Sequence, residues 1–269
     1  MTLFKWGSKT YLMGVLNTTP DSFSNDGVYE NVQLAISKGV QMLSNGADLL
    51  DVGGLSTRPP SIYGSVDFVS EQHEIDRVVP VIEGLASCTN GFISIDTYKS
   101  SVAEAAINAG AQMVNDIWAL SADPNMASLV AEKKVFVVIM HNVVKPRYQD
   151  VVSDTAEFLK RRVDFAVTAG IQEEKILIDP GIGFGKGLEE NLQILNSLED
   201  YKKIGVPLLL GTSRKATIGD VLGLPVDDRV EGTAATVAVA ITKGVDVIRV
   251  HDVKEMHRIA KMTDAIVRR

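Results

Sequence analysis

Polar and charged side chains stand at the ends of one short apolar run after another. In chain order they are Asn17, Asp51, Asp96, Asn115 with Asp116, His141, Asp179, Ser213 with Arg214 and Lys215, and Arg249 with His251. Such residues are poor material for a dry core, because a buried polar group needs a partner. Helix capping by Asp, Asn or Ser explains some of these positions. It does not explain Lys215, Arg249 and His251. The short acids and amide Asp96, Asn115 and Asp179 suit the directional edge of a polar heterocycle such as an aminopyrimidinone. Arg249 and His251 alternate with Val250, so on a strand both point the same way. With Asn17 and the stretch "NTTPDSFSND" they make an anion pocket, the guanidinium offering paired contacts to phosphate oxygens. The competing use of the Arg–His pair is an ion pair with Asp252.

Two carboxylates and a histidine could bind zinc, but no His-x-Glu or Cys-x-x-Cys spacing supports a cage made by the protein alone. Magnesium held mostly by substrate phosphates remains compatible. "DPGIGFGKG" (179–187) lacks the spacing of a Walker loop and of a dinucleotide fingerprint. Its glycines allow close backbone approach to a ligand and set Phe184 and Lys186 at the rim; a plain flexible loop is the other reading. "GTSRKATIG" places Ser213 and two cations near a helix start, an anion-friendly arrangement. His73 and His257 read as exposed helix residues, and Trp6 and Trp118 as packing. No Ser/His/Asp or Cys/His constellation is present.

These residues need elements to position them. Strand candidates are 10–17, 48–54, 92–97, 112–117, 135–141, 175–181, 206–213 and 246–252. Helical periods lie between: Val32, Ala35, Ile36, Val40 and Leu43 share one face, as do Met256, Ile259, Ala260 and Ile266. Gly46, Gly110 and Gly170 fall where helices should end. Near-continuous apolar strands alternating with helices imply parallel strands covered on both sides. Eight such units in 269 residues point to a closed (β/α)₈ barrel in one domain, with an open doubly wound sheet as the alternative. In the barrel the polar strand ends converge on one face.

The bulk numbers narrow the class. A hydrophobic content of 45% and charged content of 23% are ordinary for a soluble globular protein of this size, and the lone Cys88 fits a reducing compartment. A net charge of −7 argues against nucleic acid or an anionic membrane surface as the main partner. "MTLFKWGSKTYLMGVLN" lacks the features of a signal peptide, and no run approaches membrane-spanning length. The expectation is a soluble, cytoplasmic protein.

"MGVLNTTPDSFSNDG", "DLLDVGGLSTRPPS", "ISIDTYKSSVAEAAINAGAQMVNDI", "ILIDPGIGFGK", "LLLGTSRKATIG" and "VIRVHDV" occur in this order and cover nearly the whole chain. In them the sequence resembles the dihydropteroate synthase family. The resemblance implies a folate-pathway transferase on a (β/α)₈ barrel, usually a homodimer. Such enzymes join 6-hydroxymethyl-7,8-dihydropterin diphosphate to p-aminobenzoate, and sulfonamides are possible competitors. It also implies roles. Asp96, Asn115, Asp179 and Lys215 would hold the pterin. Asn17, Arg249 and His251, with Mg²⁺ on Asn17, would hold the diphosphate, and these three with Lys215 would carry catalysis. Thr57, Pro59, Phe184, Lys215 and Ala216 would line the p-aminobenzoate pocket. Loops 18–28 and 54–66, with Asp21, Phe23, Ser56 and Arg58, would close over it. The implied mechanism is dissociative, with electrostatic stabilisation of the departing diphosphate as its main term.

Two positions depart from the family pattern. Leu55 stands where the second motif commonly has Glu, and Ala216-Thr217 replaces a common Ser-Phe. The second change removes a hydroxyl near the p-aminobenzoate carboxylate. A methyltetrahydrofolate-binding methyltransferase shares the barrel but should lack "TPDSFS" and "TSRK". A catalytically silent pterin-binding protein should have lost Asn17, Arg249 and His251. All of these are present.

Overall fold

The computed structural model describes residues 4–18, 32–55, 69–144 and 146–268. Eight parallel strands run through it: β1 Tyr11–Asn17, β2 Leu49–Gly53, β3 Phe92–Asp96, β4 Met113–Asp116, β5 Phe136–Met140, β6 Ile176–Asp179, β7 Leu209–Leu210 and β8 Val247–Val250. Hydrogen-bonded neighbours follow the order β6-β5-β4-β3-β2-β1-β8-β7. A bridge between Ile178 and Leu208 joins the two ends, so the sheet is a nearly closed barrel. The helices are α1 Val32–Ser44, α2 Glu71–Cys88, α3 Ser100–Asn108, α4 Met126–Lys133, α5 Val151–Thr168, α6 Leu188–Asn196, α7 Leu198–Lys202, α8 Ala216–Leu222, α9 Val230–Thr242 and α10 Val253–Val267. Among the described residues no helix is long and apolar enough to cross a membrane.

Strand β7 is much shorter than the apolar run 206–213 suggested. Pro207 has no N–H for a ladder, and the Leu208 N–H is taken by the Asp246 carboxylate at 3.0 Å. Most helices follow their periodicity, with two corrections. Val40 is 40% exposed and Ile266 57% exposed. On α1 the inward line runs through Ala35 and Gly39 instead. A Cβ at Gly39 would lie 2.7 Å from Leu85 and 3.1 Å from Leu50, so the absent side chain is what lets α1 approach the barrel. On α10 it runs through Val253, Met256, Ala260 and Thr263.

Side chains alternate across each strand, and the two faces differ. Outward residues such as Leu50, Val52, Ile93, Ile95, Val114 and Ile248 pack with Val78, Ile82, Leu85 and Ala103 of the helices. The inward residues change character along the barrel axis. At the N-terminal end, Met13, Leu49, Phe92, Met113, Leu177 and Val247 form a second apolar cluster with Phe4 and Tyr11. Phe4 plugs that end: it stacks on Trp6 at 4.7 Å and meets the rings of Tyr11, Phe92 and Phe136 edge-on at 5.0, 5.1 and 5.5 Å. One pleat higher the inward positions become Asp51, Ser94, Asn115, Asp179 and Arg249. The polar residues therefore face the barrel interior at its C-terminal end, above a dry aromatic floor.

Candidate active site

The register of the strands brings the inward polar residues together. Asp51 pairs with Ser94, Gly53 with Asp96, and Asp96 with Asn115. Arg249 of β8 reaches across the mouth. Its Nε donates to Asp51 Oδ2 at 2.6 Å and its Nη2 to Asp96 Oδ2 at 2.8 Å. Asn115 Nδ2 also donates to Asp51 Oδ2, at 2.9 Å. Asp51 Oδ1, Asp96 Oδ1 and Ser94 Oγ are buried with no hydrogen-bond partner among the described residues. Buried acceptors left in this state are costly unless a ligand or water supplies the donors.

The charges explain the titration behaviour. One guanidinium serves two carboxylates in a desolvated site. Burial, opposed by Arg249 and reinforced by Asp51, Glu74 and Asp116, pushes Asp96 up to about 7. Burial works against the Arg249 charge, but Asp51 and Asp96 outweigh it and its pKa rises. Asp179 is also pushed up by burial, against the pull of Lys215 and of the Gly181 N–H that its Oδ1 accepts at 2.7 Å. Burial brings Lys215 down to about 8, with Asp179 resisting. Lys215 Nζ donates to the Ile182 carbonyl at 2.5 Å and lies 4.9 Å from the centre of the Phe184 ring.

Asn17 closes β1 beside this cluster. A Cβ at Gly53 would sit 3.6 Å from Asn17 Oδ1 and 3.7 Å from Asp96 Oδ2, so the glycine keeps the space between them open. His251 lies one residue beyond β8, with its Nδ1 3.0 Å from Ser213 Oγ. Two of the Arg249 guanidinium nitrogens, Nε and Nη2, are committed to the carboxylates. Nη1 makes no hydrogen bond among the described residues. Asp252, the expected alternative partner of the Arg–His pair, instead binds Arg214 through Nε at 2.9 Å and Nη2 at 2.5 Å. That pairing turns Arg214 away, in a left-handed conformation at φ 59, so of the two cations in "SRK" only Lys215 enters the site.

Ala216 begins α8 directly after Lys215. Thr57, Pro59, Asp21, Phe23, Ser56 and Arg58 lie outside the described residues. Asp116 points outward: its carboxylate accepts from Trp118 N at 2.8 Å and Leu120 N at 2.9 Å, shaping the turn after β4. His141 and Lys186 are not open rim groups either. Lys186 folds back so that its Nζ lies 2.9 Å from His141 Nδ1. His257 is half-buried against Gly46 rather than exposed.

Asp51 is the residue whose part the sequence did not disclose. It was visible as a strand-end acid, but its link to Arg249 and Asn115 spans three strands. The signal was the shared pleat parity with Asp96 and Arg249. Among the described residues no group of three or more His, Cys, Asp or Glu side chains could hold a metal ion. Asn17 Oδ1 is a single hard oxygen, a donor that fits magnesium only when most other ligands come from substrate and water.

A barrel with a sealed N-terminal floor and orphaned acceptors at its C-terminal mouth defines a class: a (β/α)₈ enzyme for a small polar ligand. The pterin binding enzyme family matches residues 13–251. A dihydropteroate synthase of Clostridium beijerinckii is 48% identical over 99% of this chain and 97% of its own length. The crystal structure of the Clostridium difficile dihydropteroate synthase in the presence of pteroic acid superposes with a TM-score of 0.94, at 46% identity, covering 99% of this chain and 100% of that one. The Xanthomonas albilineans dihydropteroate synthase with 4-aminobenzoic acid gives 0.91 at 40% identity, covering 97% and 94%. The chain belongs to the pterin binding enzymes, among the dihydropteroate synthases.

Proposed function

We propose that this chain condenses 6-hydroxymethyl-7,8-dihydropterin diphosphate with p-aminobenzoate, giving 7,8-dihydropteroate and diphosphate. The observation that carries the reading is the pair of orphaned acceptors, Asp51 Oδ1 and Asp96 Oδ1, beside Asn115 and Arg249. An aminopyrimidinone edge supplies N–H donors to such acceptors and accepts from an amide and a cation. Asp179 and Lys215 complete the pocket from the opposite side of the barrel.

In the reaction the bond from the pterin methylene carbon to the diphosphate oxygen breaks, and a bond to the aniline nitrogen forms as that nitrogen loses a proton. No side chain has to attack. The site stabilises charge instead. Arg249 Nη1, His251 and Asn17 bind the departing diphosphate, while Asp96 and Asp179 favour positive charge on the ring system. Phe184 and Lys215 receive the p-aminobenzoate ring and carboxylate beside the start of α8. Magnesium, when bound with the diphosphate through Asn17, adds a positive charge against the leaving group.

Sulfonamides, which share the aniline ring, compete at that subsite. The enzyme works in the cytoplasm as a homodimer, to which the exposed Val239, Met262 and Ile266 on the packed helices α9 and α10 offer an apolar face. The deciding assay follows diphosphate release from the pterin substrate with and without p-aminobenzoate. Release that depends on p-aminobenzoate supports the reading. Pterin binding without release would indicate a silent binding protein.

A further inference from the structure

The loop after β6 has an unusual interior. Gly181, Gly183 and Gly185 all take left-handed conformations, at φ 71, 80 and 63. The loop therefore coils tightly, with the Gly181 and Phe184 carbonyls turned inward, and Lys186 enters its centre. Nζ donates to the carbonyls of Gly181 and Phe184, both at 3.0 Å, and reaches that of His141 at 3.4 Å. The fourth neighbour is His141 Nδ1 at 2.9 Å. Burial lowers the Lys186 pKa to about 7, with Asp179 resisting. In its ammonium form the group has only donors, so Nδ1 accepts and the imidazole is neutral with its proton on Nε2. Burial and the adjacent ammonium hold His141 in that state, its pKa lowered to about 3. The coil also presses on the end of β5: a Cβ at Gly181 would fall 2.1 Å from the His141 carbonyl oxygen, and one at Gly185 2.5 Å from that of Val143. Asn191 braces it from outside, accepting from Gly183 N at 2.9 Å and donating to the Gly187 carbonyl at 2.7 Å.

The outward products of this coil are the Phe184 ring and the Ile182 carbonyl, the two groups that contact Lys215. We propose that Lys186 is a positioning residue for the p-aminobenzoate subsite: its caged amino group holds the 181–186 coil in the shape that places the Phe184 ring. The proposal rests on the functional reading above for what the subsite binds, while the cage itself does not. Lys186 touches no reacting atom. It acts as a shared internal donor for four neutral acceptors, of which the Gly181 carbonyl also receives the Phe184 N–H at 3.1 Å.

The test uses the full-length enzyme with Lys186→Met, which keeps the stem and removes the cation. Amide hydrogen exchange over residues 180–187 should quicken at least tenfold, with exchange in β2 and β3 unchanged. The KM for p-aminobenzoate should rise about tenfold, while the Kd of a pterin analogue moves less than twofold. His141→Ala removes one of the four acceptors and should shift both readouts in the same direction by about threefold; it decides the matter if the Met variant does not fold. Unchanged exchange in the coil overturns the proposal, as does an equal loss for both substrates. A wrong subsite assignment has a different signature: Phe184→Ala then leaves the KM for p-aminobenzoate unchanged, although Lys186→Met still loosens the coil.

Discussion

Arg249 donates to two buried carboxylates at once, in a mouth whose titration is dominated by burial. Burial keeps the proton on Asp96 up to about 7 against the shared Arg249 charge, and it brings Lys215 down to about 8 against Asp179. A carboxylate accepts hydrogen bonds fully only when ionised, and an amine attracts anions only when protonated. Affinity for a pterin analogue should therefore rise as pH passes through 7, and affinity for p-aminobenzoate should fall above 8. Calorimetric titrations from pH 5.5 to 9 should trace both limbs, the first missing in Asp96→Asn and the second in Lys215→Met. Stability runs the other way for Asp96. Its folded pKa lies above the ordinary 3.8, so its contribution is full below that value and is lost as pH rises through about 7. Removing an acceptor outright is a harsher change: Asp96→Ala and Asp179→Ala should each weaken pterin binding by about 1–3 kcal/mol, measured by the same calorimetry in variants whose circular dichroism is unaltered.

At the scale of elements, the glycine coil after β6 carries its own prediction. Gly181→Ala forces a side chain into a left-handed conformation, costing about 1–2 kcal/mol before any clash, and the new methyl meets the His141 carbonyl. The melting temperature should drop and the KM for p-aminobenzoate should rise, whereas Gly205→Ala, also left-handed but with open space around it, should lower stability alone. The elements themselves were mostly legible in the sequence. Strands β1 to β6 and β8 are apolar runs bounded by polar residues, and that pattern survives folding because both faces are covered. β7 was over-read because hydrophobicity reports burial, whereas Pro207 and Asp246 decide which backbone groups can pair. Val40 and Ile266 were misplaced because periodicity counts apolar residues, whereas the inward line of α1 runs through Gly39 and that of α10 through Thr263. The site was legible as a set of residue types at strand ends. The direction of Arg249, the engagement of Arg214 by Asp252 and the burial of Lys186 were not, since long flexible side chains choose partners that only the fold brings near.

For the whole molecule, the N-terminal plug separates stability from activity. Phe4 touches four rings at the closed end of the barrel, remote from the polar mouth. Phe4→Ala should lower the unfolding free energy by about 3 kcal/mol, seen in denaturant melts, with both KM values unchanged at temperatures where the protein stays folded. The opposite feature is the joint between β6 and β7. Five residue pairs register β1 with β2 and five register β2 with β3, but between β6 and β7 stands the bridge of Ile178 with Leu208. The cylinder is in effect a cuff with one clasp. Asp179 rises from one edge of that cuff and Lys215 follows the other, so a ligand gripped by both becomes a second fastening. Amide exchange should find Ile178, whose N–H donates to the Pro207 carbonyl at 3.0 Å across this joint, to be the first strand residue to open in the free protein and the one most protected by a bound pterin. An inhibitor that spans both edges would then do two things at once, filling the site and keeping the cuff shut.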